Sequence, residues 1–299
     1  MTKKENLLHY LKHEPYEEAP KPGEIFLMGN SELICTLDIP VRERPLTTSG
    51  YDVFGVHWTA ASPASHYTQG QAPVYDDIEE WETQVRFPNI DKFEWDQLRA
   101  DAAKIDRDQQ LINVVMYNGP FERTTMLTSF EDCMVNLITD PENFSNLIGA
   151  IADYKIALIH KIWECAQPDI YCIHDDWGTM KSTFMSPDLW RQVIKPHTKR
   201  IYDAIHSHGA VVAQHSCGAI TPLLDDMVEI GADLWDGQDD CNDMPFLREK
   251  YRGRLVLPEK PDFSDMPELP PMGPDAPGAM EMPNEKYGGY DTYPEFLFI

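Results

Sequence analysis

The chain has 299 residues, 42% of them hydrophobic, and 50 acidic against 25 basic residues give it a formal net charge of −25. This length suits one large α/β barrel or two ordinary domains. The acidic balance argues against nucleic acid as a partner, because binding to phosphates needs clustered Lys and Arg. No apolar run approaches the roughly 20 residues that span a bilayer, so we expect a cytoplasmic protein with no membrane contact.

Strands and helices alternate along most of the chain. A short helix over 6–13 and a first strand over 23–29 are followed by an aromatic-rich, poorly periodic region. From residue 97 on, apolar strands are predicted within 109–118 and over 169–176, 210–217, 232–236 and 254–257. The alternation predicts a parallel sheet, and the lack of a Gly-x-Gly-x-x-Gly fingerprint favours an α/β fold of the (β/α)8 TIM-barrel type, with an elaborated N-terminal region.

The C-terminal segment has a different composition. Residues 258–283 hold eight prolines and many acidic residues, which predicts an extended loop. The chain then becomes aromatic again and ends on Phe296-Leu297-Phe298-Ile299, so we expect this end to dock. The predicted organisation is therefore a barrel domain over 1–257 and a Pro-rich tail over 258–299 that docks on it.

Polar side chains collect where the predicted strands end. In a barrel the carboxyl ends of the strands converge on one face, which is where barrel enzymes place their active sites. The side chains concerned, in chain order, are Asn118, His174, Asp175, Asp176, His215, Cys217 and Asp236. Because side chains alternate along a strand, His215 and Cys217 share a face, as do His174 and Asp176, whereas Asp175 points the other way.

Imidazole, thiol and carboxylate groups that arrive from several strands suit zinc. His215 and Cys217 are the predicted ligand pair, and a catalytic zinc needs about three protein ligands and an open position. The spacing leaves the third ligand open among Asp236, Cys241, His174 and Asp176. Two other interpretations stay open: a cysteine–histidine nucleophile built from the same pair, and purely structural roles such as helix capping.

In combination these residues resemble the uroporphyrinogen decarboxylase superfamily. The resemblance rests on His215-Ser216-Cys217-Gly218, a following helix and residues 231–235, and on Asp175-Asp176-Trp177-Gly178 followed by residues 185–187. It covers roughly residues 50–257. The resemblance implies a (β/α)8 barrel and a homodimer, in a superfamily that includes decarboxylases and corrinoid-dependent methyltransferases.

Short motifs separate the branches of this superfamily. The decarboxylases grip a porphyrinogen with an arginine-rich N-terminal motif, but Phe26-Leu27-Met28-Gly29-Asn30 holds no arginine. The thiol-methylating branch binds zinc through His-x-Cys and a later cysteine, and no cysteine follows Cys241. Residues 81–91 and 174–179 look most like the methyltransferase component of O-demethylase systems, which moves methyl from methoxylated aromatics to a corrinoid protein.

The resemblance thus implies an enzyme that demethylates a small methoxylated substrate and methylates the cobalt of a corrinoid (cobalamin) carried by a partner protein. Zinc on His215 and Cys217 would act as a Lewis acid. The predicted catalytic residues are His174, Asp175, Asp176 and His215, and the predicted substrate contacts are Trp58, Met116, Asn118, Trp177 and Asp236. Tyr117 is expected, with Trp58, Met116 and Trp177, to wall an aromatic ring. The alternatives are a decarboxylase-like lyase that acts on another substrate, and a non-catalytic barrel relative.

Overall fold

A computed structural model describes residues 1–41, 43, 50–62, 65–67, 72–237 and 239–259. The predicted tail, 258–299, lies outside the described residues from 260 on. The helices and strands, in chain order, are α1 Lys3–Leu11, β1 Ile34–Leu37, β2 Gly50–Tyr51, β3 His57–Ser62, β4 Ser65–Tyr67, α2 Trp81–Gln84, α3 Trp95–Ala102, β5 Leu111–Met116, α4 Pro120–Leu127, α5 Phe130–Thr139, α6 Pro141–Ala166, β6 Ile170–His174, α7 Pro187–Val193, α8 Lys195–His206, β7 Val211–Ser216, α9 Leu224–Ile230, β8 Leu234–Gly237 and α10 Met244–Lys250.

Five of these strands form a parallel sheet in the order β1-β5-β6-β7-β8, with helices between consecutive strands. The strand predicted at 254–257 is reduced to a parallel bridge between Val256 and Leu234. The short strands β2, β3 and β4 form a separate antiparallel sheet. The predicted α/β class with a parallel sheet is confirmed.

The two faces of the parallel sheet belong to two apolar clusters. Alternate residues of the strands point to one face of the sheet and pack with Leu7 and Leu11 of α1 in an inner cluster. The strand members are Ile34, Leu111, Val115, Ile170, Cys172, Val211, Ala213 and Leu234, together with Val256 of the bridge. The other strand face packs against the helices. Helix α1 and the turn after it cover the amino ends of the strands. Lys4 of the helix contacts the carbonyl of Arg107, which precedes β5, and His13 of the turn contacts that of Asp233, just before β8.

The predicted strand over 23–29 is wrong. The segment is irregular, and Leu27 lies buried in the inner cluster. Its carbonyl accepts hydrogen bonds from Asn113 Nδ2 at 2.8 Å and from Thr36 Oγ1 at 3.3 Å. A segment that fills the interior of a barrel is as apolar as a buried strand, so composition alone does not separate the two. The sign of an interior segment here is the polar Asn113 on the inner face of β5, whose side chain binds the Leu27 carbonyl.

Asn30 and Ser31, which follow this segment, pair with backbone groups on the outer edge of β1. Ile34 N donates to Ser31 Oγ at 3.1 Å, and the Ile34 carbonyl accepts from Ser31 N at 2.8 Å. Thr36 N donates to Asn30 Oδ1 at 2.8 Å. Backbone groups that a neighbouring strand would satisfy are thus already paired, so within the described chain β1 is a blocked edge.

A buried ion network ties the N-terminal region to the helices of the barrel. Arg123 of α4 contacts Asp52 (Nη1–Oδ2, 2.5 Å) and Glu43 (Nη2–Oε2, 3.3 Å), and its side chain is fully buried. Glu43 also contacts Lys155 of α6 at 2.5 Å. In a buried network each charge depends on the others, because desolvation leaves an unpaired charge without compensation.

We expect Arg123→Met to destabilise the protein by about 3–5 kcal/mol, because it leaves the buried carboxylates of Asp52 and Glu43 without their shared cation. Urea unfolding followed by circular dichroism measures this difference. Arg252→Met is the matched control, since that side chain is 78% exposed. An unfolding midpoint of Arg123→Met equal to that of the control would contradict the network's structural role.

A second ion cluster fastens α9 to α7 and α8. Asp226 accepts from Arg191 Nε at 3.0 Å and from Lys195 Nζ at 2.8 Å. Burial alone would raise the pKa of Asp226, but hydrogen bonds from these two cations hold it below its usual value. A depressed carboxyl pKa stabilises the fold above the unfolded pKa of about 4, and this stabilisation is lost as the pH falls through the folded pKa.

We therefore expect Asp226→Asn to lower the thermal midpoint at pH 7, with a deficit that shrinks as the pH falls below about 4. Calorimetric scans of wild type and variant across this range measure it. A deficit that stayed constant with pH would mean that the side-chain shape, not its charge, holds α9.

Candidate active site

The parallel register places three polar side chains in one row at the carboxyl end of the sheet. His174 ends β6 and pairs with His215 of β7, which pairs with Asp236 of β8. All three continue the inner face, two residues beyond Cys172, Ala213 and Leu234. The two imidazoles stack with ring centroids 4.5 Å apart and planes inclined by 15°.

Each imidazole in the row has a carboxylate at its Nδ1 atom. Glu122 Oε2 lies 2.9 Å from His174 Nδ1, and Asp236 Oδ2 lies 3.3 Å from His215 Nδ1. A carboxylate at one ring nitrogen fixes the ring and directs the other nitrogen, Nε2, toward a ligand. Sequence reasoning missed Glu122, although Gly119-Pro120 directly before it is a helix-start signal.

Cys217 lies at the distance from His215 that zinc ligands have. Its Sγ is 3.5 Å from His215 Nε2. In a tetrahedral zinc site with Zn–N near 2.0 Å and Zn–S near 2.3 Å, nitrogen and sulfur are about 3.5 Å apart. The predicted pair therefore fits zinc in donor type and in separation.

The remaining ligand candidates divide by position. His174, Asp176 and His215 bring their donor atoms within 4.8 Å of one another, and Asp176 Oδ1 accepts a 2.6 Å hydrogen bond from Cys217 N. Asp236 contacts the other nitrogen of His215. Cys241 lies on the loop after β8, where Asn242 Nδ2 contacts its sulfur at 3.3 Å. Within the described chain, His174, Asp176 and His215 are thus the trio whose donor atoms are close enough to share a metal ion, and Cys217 contacts His215 but lies outside this trio.

Protonation would compete with metal at His215. Burial lowers the pKa of His215, but hydrogen bonds with Asp236 and Cys217 outweigh it and raise the pKa to about 9. Zinc binds neutral imidazole, so metal binding at His215 must displace the proton of this ring.

Asp175 faces away from the row, as alternation predicts. Its buried carboxylate accepts from Glu122 N at 2.8 Å and Trp177 Nε1 at 3.0 Å, so it caps the amino end of α4. Burial, with the nearby Glu122 carboxylate, raises the pKa of Asp175 to about 7. A Cβ on Gly119 would lie 2.3 Å from Asp175 Cβ, so only glycine permits this approach. Helix capping, the structural role left open by the sequence, is therefore the role of Asp175, but not of His174 or Asp176.

The predicted substrate contacts are mostly elsewhere. Met116 is 1% exposed and packs in the cluster on the helix side of the sheet, so it does not line the site at the carboxyl ends of the strands. Trp177 is fully buried against Asp175, and Trp58 is buried with its Nε1 donating to Asp52. Asn118 Nδ2 donates to the Glu43 carbonyl at 2.9 Å. Trp58 and Trp177 were predicted to line the site because they are large aromatic residues, but both are buried in the core.

Of the two neighbours expected to wall the substrate, Met116 and Tyr117, it is Tyr117 that faces the site. Its ring centroid is 5.7 Å from that of His174. Beside it lies a cavity of about 300 Å³, lined by Val115 and Tyr117 of the β5 segment and by residues 28–30, 36–39, 41 and 43. A larger cavity of about 580 Å³ lies outside the barrel between α6 and residues 87–91, away from the strand ends.

Comparison with known proteins identifies the family. Residues 67–257, more than half of the chain, match the uroporphyrinogen decarboxylase (URO-D) family. The chain belongs to this family. Uroporphyrinogen decarboxylases have the TIM-barrel fold, which agrees with the barrel predicted from the sequence.

Among solved structures, a methyltransferase from Methanosarcina mazei has a similar fold, with a TM-score of 0.63 and 17% sequence identity. The similarity covers 86% of this chain and 82% of the methyltransferase. No curated protein matches the sequence. Among the described residues no helix is both long and apolar enough to cross a membrane.

If His215 binds zinc, Asp236→Asn should weaken that binding by about 10- to 100-fold, the usual effect of removing a carboxylate that orients a histidine ligand. Competition with a chromophoric chelator measures the affinity. The matched variant is Glu122→Gln, which removes the same contact from the stacked His174. We expect it to leave the affinity unchanged, so equal losses in both variants would make His174 a ligand as well.

Proposed function

We propose that this protein is a zinc-dependent methyltransferase that moves a methyl group from a small O-methyl substrate, a methoxylated aromatic, to the cobalt of a corrinoid protein. The observation that carries the proposal is the His215–Cys217 pair, with zinc-like spacing, beside Asp176 and His174 at the carboxyl ends of the strands. Family membership and the fold shared with a methyltransferase support the class of reaction.

Each side chain has a separate task in this proposal. His215 and Cys217 would hold the zinc, which supplies Lewis acidity to the ether oxygen when bound. Asp176 groups with His215 and His174 but not with Cys217, so it would complete the site only by turning toward the sulfur. His174, which stacks on His215, would hold a proton at Nε2 for the departing oxygen. Glu122 at Nδ1 keeps the ring in place, with Nε2 directed away from this contact.

The reaction balances without an oxidant or reductant. Co(I) of the corrinoid attacks the methyl carbon, so a cobalt–carbon bond forms as the carbon–oxygen bond breaks. The electron pair of the broken bond stays on oxygen, which takes the proton from His174 and leaves as a phenol. Phenoxide is a poor leaving group, and stabilising the charge that develops on this oxygen is what the site must supply.

The cavity beside Tyr117 supports a small substrate. Its volume of about 300 Å³ is at the lower end of ordinary ligand sites. Tyr117 borders both this cavity and His174. A ring bound there would place its methoxy group toward the row of His174 and His215.

Methyl transfer to free Co(I) cobalamin from a panel that begins with 2-methoxyphenol tests the proposal, with zinc content measured on the same preparations. Wild type should methylate cobalamin with one zinc per chain. His215→Ala and Cys217→Ala should lose zinc and activity together, whereas His174→Ala should keep zinc and lose at least about 100-fold in rate, as expected for a proton donor.

Cys165→Ala and His160→Ala, which change residues of α6 remote from the strand ends, are the matched controls and should behave like wild type. A protein that binds no zinc and transfers no methyl group from any donor would contradict the proposal. Release of carbon dioxide from a carboxylated substrate by the metal-free protein would instead support the lyase alternative.

A further inference from the structure

Helix α5 presents an apolar stripe that the described residues leave uncovered. Cys133 and Leu137 are its buried positions. The arc beside this buried face carries Phe130, the half-buried Met134, Val135 and Ile138, of which Ile138 is 68% and Val135 51% exposed. We call these four residues the α5 stripe. Scattered exposed apolar residues are ordinary, but a contiguous stripe on one helix face marks an interaction surface.

The α5 stripe is continuous with the rim of the active site. The ring of Phe130 lies 5.1 Å from that of Phe184, on the loop that follows β6. That loop packs on the end of β7: Ala219 N donates to Thr179 O at 2.7 Å, and Gly218 lies against the Gly178 backbone. Gly218 directly follows Cys217, so the stripe and the proposed zinc ligands border the same loop.

The charge around the stripe selects its occupant. The exposed acids Glu131 and Asp132 lie on α5 itself and Glu142 follows at the start of α6, whereas the loop that borders the stripe contributes one cation, Lys181. A second copy of this chain, with a net charge of −25, would bring like charges together. The C-terminal residues 260–299, with eight acids and two lysines, carry the same sign. Anionic lipid is disfavoured for the same reason, whereas a protein with an apolar patch ringed by Lys and Arg complements this surface.

We propose that the α5 stripe is the docking surface for the protein that carries the methyl acceptor, and that this partner presents an apolar patch within a basic rim. The inference rests on the proposed function, since it places the carrier beside the carboxyl ends of the strands, which its cobalt must reach. Apolar contact supplies the specific binding, and the acidic surroundings speed the encounter.

The test compares Ile138→Glu with wild type in two assays. The first uses free Co(I) cobalamin, and the second uses purified corrinoid carrier proteins loaded with Co(I), of which the one methylated fastest by wild type is retained. Ile138→Glu should raise the KM for the carrier at least about tenfold, as for loss of a buried interface anchor. The rate with free cobalamin should not change. Phe246→Glu, at an exposed position of α10, is the matched control.

A second variant tests the charge argument. Glu131→Lys should raise the KM for the carrier and weaken its dependence on salt, because it places a positive charge among the acids that face the basic rim.

Equal carrier KM values for wild type and Ile138→Glu would overturn the docking proposal and leave the proposed function intact. A change in sedimentation mass in Ile138→Glu, with no change in carrier KM, would also overturn it and assign the stripe to a contact between copies. If wild type methylated neither free cobalamin nor any carrier, the proposed function itself would fail, and the docking proposal with it.

Discussion

Parallel register between β6, β7 and β8 is the constraint on which the site depends. Parallel pairing aligns His174 with His215 and His215 with Asp236, and the two-residue alternation of strands keeps all three on the inner face. A shift of one residue in any of these strands would turn its row residue toward the helices and bring a neighbour, such as Ile173, Gln214 or Trp235, to the inner face in its place. The apolar residues below the row, Cys172, Ala213 and Leu234, hold the register by being buried in the inner cluster.

Packing and chemistry are connected through the amino end of α4. Asp175 caps this helix from the outer face of β6, and Gly119 allows the close approach. The cap fixes the first turn of α4, from which Glu122 reaches His174 on the other face. Asp175 therefore acts on the site only through Glu122 and His174, and its low exposure and raised pKa follow from burial in this structural role.

The sequence predicts those parts of the site that alternation and strand ends determine. The shared face of His215 and Cys217 and the opposite direction of Asp175 follow from strand periodicity alone. Glu122 was missed because its partner lies 52 residues away and is brought near by the cap on α4. Met116 was misplaced because residue type was preferred to alternation, which puts Tyr117 on the inner face. The irregular segment around Leu27 was taken for a strand because an interior filler and a buried strand have the same apolar composition.

The proposed function requires that the end of β7 supply a histidine and a cysteine to one metal ion. The absorption spectrum of the protein loaded with Co(II) in place of zinc reports on both ligands, because thiolate ligation gives a sulfur-to-metal charge-transfer band and tetrahedral geometry gives intense visible bands. We expect both features in wild type, loss of the charge-transfer band in Cys217→Ser, and loss of binding in His215→Ala. A weak spectrum typical of six oxygen ligands, unchanged in Cys217→Ser, would rule out this metal site.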